Sequence, residues 1–390
     1  MRTFLSLAAL ACVLSSCSVD LPTTQSASAT VPIEDTLPGS LISQRAVAAS
    51  ALIPGAASGI NFRYRSTDGL DGTSPITVSG AIYLPQGEAP AGGWPLIAWS
   101  HGTVGIADAC APSSAGRSQR DLTYLSNWLR KGYAIVASDY QGLGTEGTHP
   151  YMAARPMAYS NLDAIRAVQQ GGFPVSRTVV VTGQSQGAAA AIATAGFAPD
   201  YAPEIDLRAI SATGVPYFPP AVQQMMAALN QDTPNPQVAF TAYLLTMAEL
   251  VDPSFDFEST IASETWPAVS KAYDQCVGEF IGSTMAAGVT PRDLVSPESL
   301  AVQEKVFATM AYPTLALSVP AFVGTGEADQ ITPLPMQQLF VRDACAAGSR
   351  IEARQYPGAN HDGGLLNSMD DVEAFVARAF AGVPQEGNCP

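Results

Sequence analysis

The sequence carries little charge. Asp, Glu, Lys and Arg together make up 14% of its residues, against about 25% in an average soluble domain. The shortfall is mostly basic, since 19 Lys and Arg face 34 Asp and Glu, giving a formal charge of −15. No basic stripe is present that would neutralise phosphates, which argues against nucleic acid as a partner. The same imbalance argues against attraction to an anionic membrane surface. Histidine is scarcer still, with only His101, His149 and His361. They are too scattered for zinc-ligand spacing and no H-E-x-x-H occurs, so no metal is expected. Nor is a phosphate loop or dinucleotide fingerprint present, because Gly142-x-Gly144 lacks the third glycine in place.

Long apolar runs are missing too. Phe4 to Leu14 is apolar but too short to span a bilayer, and nothing later is longer. With Arg2 before it, this stretch reads as an export signal. Leu14-Ser15-Ser16-Cys17 resembles the bacterial lipobox, in which the cysteine is lipidated and becomes the mature N-terminus. The alternative is ordinary signal cleavage near the same point. Residues 1–17 are therefore taken as the signal, and the Ser-, Thr- and Pro-rich residues 18–40 as a flexible tether. Setting aside Cys12 and Cys17 leaves Cys110, Cys276, Cys345 and Cys389. An even set in an exported chain implies two disulfides, with three connectivities open.

What is present is an α/β rhythm. Ile60 to Arg65 and Ile76 to Leu84 alternate and predict an antiparallel hairpin. Leu96 to Trp99 and Tyr133 to Ser138 are short apolar runs suited to buried strands, and helical patterns separate them. Strands alternating with helices predict an α/β fold with a mostly parallel sheet flanked by helices. Residues 41–215 form the first part of this core. The rhythm breaks over residues 216–312, which read as a helical insertion rich in Met225, Met226, Phe240, Tyr243, Leu244, Met247 and Leu250. Such residues suit a cap over an apolar pocket. Residues 313–390 resume the core.

The chemistry centres on Val179 to Ala191. A continuous Val run leads into Gly183-Gln184-Ser185-Gln186-Gly187 and then a run of alanines. This fits the G-x-S-x-G nucleophile elbow, a strained strand-to-helix turn that lifts Ser185 above the sheet edge. A serine hydroxyl needs a base, and the base an orienting acid. In this arrangement the order along the chain is Ser, acid, His, and His361 is the one histidine after Ser185. Asp329, in a turn after Phe322-Val323-Gly324, is the expected acid, with Glu327 as its rival. Asp139 comes too early in the order and reads as a loop-organising carboxylate. The oxyanion formed on attack needs backbone N–H donors, expected from Gln186 and from Thr103 in Ser100-His101-Gly102-Thr103. His101 is expected to brace that loop.

Several stretches together resemble the secretory lipase family. They are Ser100-His101-Gly102-Thr103, Cys110-Ala111-Pro112-Ser113, Asp139-Tyr140-Gln141-Gly142-Leu143-Gly144, His149-Pro150-Tyr151 and the elbow. Gly326-Glu327-Ala328-Asp329 and Asn360-His361 match its acid and base stretches. The resemblance implies an α/β-hydrolase core with an inserted helical cap, and hydrolysis of small-molecule or lipid carboxylic esters without a cofactor. It also implies the bridges Cys110–Cys276 and Cys345–Cys389. The lipobox departs from a freely secreted enzyme and points to a bacterial cell envelope, with membrane contact through the lipid on Cys17. No protein partner is implied. The same residues leave open a serine peptidase, an acyltransferase, or a non-catalytic surface binding protein on this fold.

Overall fold

Why the sheet is buried on both sides is visible in the valine run. Val179 and Val181 face one apolar cluster, and Val180 faces the other. Each side chain is fully covered, a gain of about 1.5–3 kcal/mol apiece. A computed structural model describes residues 37–228 and 231–389. The export signal, Cys17 and most of the tether lie outside those residues.

Among the described residues, nine strands form one sheet in the order β1-β2-β3-β5-β4-β6-β7-β8-β9. They are β1 (Leu41–Ala46), β2 (Ala56–Thr67), β3 (Pro75–Pro85), β4 (Trp94–Ser100), β5 (Ala134–Ser138), β6 (Val175–Gln184), β7 (Asp206–Thr213), β8 (Ala321–Gly326) and β9 (Ile351–Tyr356). The first three pair antiparallel, β3 joins β5 antiparallel, and the remaining pairs are parallel. The helices are α1 (Pro112–Ala115), α2 (Gln119–Arg130), α3 (Ala154–Gln170), α4 (Gln186–Tyr201), α5 (Pro220–Ala227), α6 (Gln237–Val251), α7 (Trp266–Val269), α8 (Val277–Ala286), α9 (Pro297–Met310), α10 (Leu334–Ala346), α11 (His361–Asn367) and α12 (Met369–Phe380). This is the α/β-hydrolase architecture expected from the strand and helix rhythm.

The two faces have different partners. Trp99 and Ile97 of β4 meet Leu125 and Trp128 of α2 and Phe375 of α12. Leu96 and Ala98 meet Leu162 and Ile165 of α3 and Ala188 and Ala191 of α4. The chain leaves β4 for β5 on one side, then returns past it to β6 on the other. That reversal opens a crevice beyond the carboxyl ends of β4 and β6, where doubly wound sheets place their ligands.

Three details differ from the sequence reading. β1 was not anticipated, because this edge strand exposes five of its six residues and shows no buried period. Helix α3 starts at Ala154, where the apolar stripe of Leu162, Ile165 and Val168 predicts a start near Tyr159. Pro156 in its first turn looks like a breaker, yet the N–H it lacks has no intrahelical partner at that position. His361 opens α11, whereas Pro357-Gly358-Ala359-Asn360-His361 reads as a loop in the sequence, and the Asn360 side chain accepts the Gly363 N–H as a cap.

Between β7 and β8 the described chain is helical, from α5 through α9. These helices share a cluster with Tyr140, Tyr151, Met157, Ala189 and Ala190 of the core. The layer therefore rests on the first turn of α4. Cys110, after β4, bridges to Cys276 at the start of α8. Cys345 of α10 bridges to Cys389 near the C-terminus.

These bridges close loops of different length, 166 against 44 residues of separation. Loop-closure entropy then favours the longer by about 1 kcal/mol. Replacing Cys110 and Cys276 by Ser should lower the unfolding free energy by about 2–5 kcal/mol. The Cys345/Cys389 pair should cost less. Urea titrations of the two double variants would check both size and order.

Candidate active site

Ser185 sits at φ 60°, ψ −123°, between β6 and α4. A non-glycine residue there costs about 1–3 kcal/mol and persists only when its surroundings hold it. The Ser185 N–H donates to Thr213 O of β7 at 2.9 Å, and the Ser185 carbonyl accepts from the Ala188 and Ala189 N–H groups. The flanking glycines are steric requirements. A Cβ at Gly183 would lie 2.0 Å from Gly187 O, and one at Gly187 would lie 1.9 Å from Ser100 O. The turn thus packs directly on the end of β4, and the Ser185 side chain remains half-buried at the crevice.

His361 stands across the same crevice. A Cβ on Gly214, the residue after Thr213, would meet its Cε1 at 3.0 Å. Its backbone carbonyl also accepts from Gln184 Nε2 at 3.3 Å. The ring Nδ1 lies 2.7 Å from Asp329 Oδ2. An ionised carboxylate can only accept, so Nδ1 carries the proton and Nε2 keeps its lone pair. Asp329 is buried in the turn after β8 and also accepts the Ile331 and Thr332 N–H groups, at 2.8 and 3.0 Å. The Thr332 hydroxyl donates to Oδ2 at 2.8 Å. Burial pushes this carboxyl up, but the His361 ring and the Thr332 donors outweigh it and hold the pKa below the ordinary value. Glu327, the rival acid, is exposed and makes no such contact with His361.

The loop after β4 lies over the elbow. A Cβ on Gly102 would sit 2.9 Å from Gln184 Oε1. Thr103 follows, its Oγ1 2.8 Å from the Tyr151 hydroxyl. Gln186 opens α4 with its side chain buried. His101 is fully buried, Nδ1 2.7 Å from Gly102 O, with Tyr140 stacked against it at 4.3 Å between centroids. Desolvation keeps its pKa below the usual value, so it stays neutral within the loop. Asp139 is equally buried but receives Ser113 N–H at 2.9 Å and the hydroxyls of Ser113 and Ser79, at 2.5 and 2.7 Å. It organises the segment around α1 and has no histidine nitrogen on its carboxylate.

Sequence reasoning missed the residues that support these groups. Gln337 of α10 is fully buried and donates to Thr332 O at 2.6 Å, fixing the acid turn. The Asp-x-x-Thr spacing of Asp329 and Thr332 was the legible sign of such a turn. Arg120 of α2 spans from Asp121 to Asp362, tying the start of α11 to the core. His149, taken only as part of a family stretch, places Nδ1 2.8 Å from Gln141 O and Nε2 2.9 Å from Gln186 Nε2.

His149 also generates a pH dependence. Burial lowers its pKa from 6.5 to about 4. Between those values the unfolded chain takes up a proton that the folded ring refuses, so stability falls as pH falls through that window. His149→Gln should flatten this slope. Urea unfolding of both proteins from pH 7 to pH 4 reads it directly, and equal slopes would show that the ring does not titrate as described.

The chain is similar to known hydrolases along most of its length. A family model described as secretory lipase matches residues 109–387. Lipase A of Moesziomyces aphidis is 23% identical over 289 residues, covering 69% of this chain and 59% of that protein. Candida antarctica lipase A in its closed state superposes with a TM-score of 0.70 at 21% identity, covering 91% of this chain and 85% of the other. The rice cell wall degrading esterase LipA from Xanthomonas oryzae gives 0.68 at 21%, covering 89% and 100%. At such identities the superpositions establish the fold. The family match spans well over half of the chain, which belongs to the secretory lipase family.

Proposed function

We propose that this protein hydrolyses carboxylic esters, lipid esters among them, with Ser185 as nucleophile, His361 as base and Asp329 as the orienting acid. The observation that carries the reading is the convergence at one sheet edge. Ser185 follows β6 in a strained turn, Asp329 follows β8, and His361 follows β9 with Nδ1 on the Asp329 carboxylate. Family membership and the lipase and esterase names of similar proteins point the same way.

The steps follow from the protonation states. His361 Nε2 takes the Ser185 proton as Oγ attacks the ester carbonyl carbon. The carbonyl π bond breaks and its electron pair moves to oxygen, to which the Gln186 and Thr103 N–H groups donate. The imidazolium then gives its proton to the leaving alkoxide, and an acyl-Ser185 remains. Water, deprotonated by the same nitrogen, attacks the acyl carbon; the C–Oγ bond breaks, the imidazolium returns its proton to Ser185 Oγ, and the carboxylic acid leaves. Asp329 stays ionised throughout, its lowered pKa favouring the carboxylate that stabilises the imidazolium. No step calls for a metal or cofactor. The helical layer of residues 216–312, seated on Ala189 and Ala190, would roof the site and receive the acyl chain. Export follows from the family and the two disulfides, and we read Cys17 as the lipid attachment point.

Hydrolysis of p-nitrophenyl esters from short to long acyl chains tests this. Ser185→Ala should lose at least about a thousandfold in rate. Asp329→Asn should lose up to about ten-thousandfold in kcat, because His361 is then held in the wrong tautomer. A Ser185→Ala protein with wild-type rates would overturn the assignment.

A further inference from the structure

Both oxyanion donors lean on one short segment. His149 touches Gln186, and two residues later Tyr151 touches Thr103. Residues in left-handed backbone stand on either side of it, Tyr140 at φ 72° and Met152 at φ 64°. Apart from Ser185, these are the only non-glycine residues with positive φ among the described residues. Each costs about 1–3 kcal/mol, and such strain collects where geometry is imposed for function. The surroundings impose it here. The Tyr140 hydroxyl donates to His101 O at 3.0 Å, and the Tyr140 N–H donates to Ser138 Oγ at 2.9 Å.

The hydrogen-bond directions can be worked out. Gln141 O only accepts, so His149 Nδ1 must carry the proton it shares at 2.8 Å. In the neutral ring Nε2 is then an acceptor, and Gln186 must turn its NH2 toward it at 2.9 Å. The same amide nitrogen lies 3.8 Å from Met157 Sδ, a weak second acceptor. The buried Gln186 side chain is thus pinned between His149 and Met157. At the other donor, Thr103 Oγ1 and Tyr151 Oη are 2.8 Å apart. A Thr103 hydroxyl that turns its proton toward the crevice must accept from Tyr151. Burial raises the Tyr151 pKa, so the phenol keeps the proton it would donate. Tyr151 packs edge-on against Tyr243 of α6 at 5.3 Å, which fixes its ring from the cap side.

We propose that His149-Pro150-Tyr151 is a brace for the oxyanion site: His149 fixes Gln186, and Tyr151 donates to Thr103 Oγ1 so that the Thr103 hydroxyl serves as a third oxyanion donor. His149 and Tyr151 are positioning residues in this scheme, and Thr103 gains a side-chain role beside its N–H. The inference rests on the ester-hydrolase reading above and deepens it.

The test uses a p-nitrophenyl ester and its thiono analogue, in which C=S replaces C=O. Sulfur is larger and a poorer hydrogen-bond acceptor, so an intact oxyanion site favours the oxygen ester. Tyr151→Phe keeps the ring against Tyr243 and removes only the hydroxyl. It should lower kcat about 10- to 100-fold with KM unchanged, and the oxygen-to-thiono rate ratio should fall with it. In a Thr103→Val background Tyr151→Phe should cost nothing more, whereas in Thr103→Ser its cost should return. His149→Gln should lower the same ratio, giving a second route if Tyr151→Phe does not fold. A rate loss with an unchanged ratio, or full additivity with Thr103→Val, would overturn the brace. So would wild-type kinetics in both variants. Ser185→Ala run alongside separates the two levels. An inactive Ser185→Ala with an unaffected Tyr151→Phe sinks the brace alone, and an active Ser185→Ala sinks the reading beneath it.

Discussion

The left-handed turn at Ser185 is the constraint around which the rest is arranged. It is unfavourable by itself, and it exists because three neighbours leave the chain no alternative. Thr213 O of β7 holds the Ser185 N–H, the carbonyl of Ser100 closes on Gly187, and Gly183 leaves room for the Gly187 carbonyl. Each of those contacts leads to another part of the site. Thr213 leads to Gly214 and the His361 ring, and Ser100 leads to His101, Gly102 and Thr103. One strained residue therefore registers Ser185, His361 and the loop of Thr103 against one another. Alanines serve the same end on the far side. Ala188 and Ala191 let α4 lie close to the sheet, while Ala189 and Ala190 carry the helical layer above.

Two buried aspartates at strand ends show how environment assigns roles. Asp139 and Asp329 are both sealed from solvent and both accept several hydrogen bonds. Asp139 accepts from Ser79 of β3 and from Ser113 of α1, and so ties that segment to the sheet. Asp329 spends its hydrogen bonds on its own turn and on His361 Nδ1. The difference lies in the neighbour, not the carboxylate. Gln337 stiffens the arrangement further by holding Thr332 O, so Asp329 has little freedom to reorient. A buried polar network of this kind gains from low dielectric only when every member is paired.

The helical layer and the core are joined at the loop that carries Thr103. Val104 O, one residue after Thr103, accepts the Val277 N–H of α8 at 2.8 Å. The Cys110–Cys276 bridge closes beside it. Tyr243 of α6 packs between Tyr151, edge-on, and Phe280, tilted against it. Any displacement of α6 or α8 is thereby felt by the loop that carries Thr103. The low content of charge fits this construction, since apolar helices packed on an apolar core leave few surfaces for Lys or Arg.

The local parts of this protein are legible in its sequence. The Val run, the glycines around Ser185 and the alanines after it define a strand, a tight turn and a thin helix through short-range sterics alone. The order of Ser185, Asp329 and His361 along the chain narrows the chemistry, and capping and apolar period place most helices within a few residues. Edge strand β1 shows no period because it buries almost nothing, and the first turn of α3 precedes the stripe of Leu162, Ile165 and Val168 that marks the helix. Tertiary structure alone decided which groups meet. Gln186 reaches His149 across 37 residues, and Thr103 reaches Tyr151 across 48. Hydrogen bonds at that separation are set by strand order and helix packing, and no local pattern in the sequence encodes them.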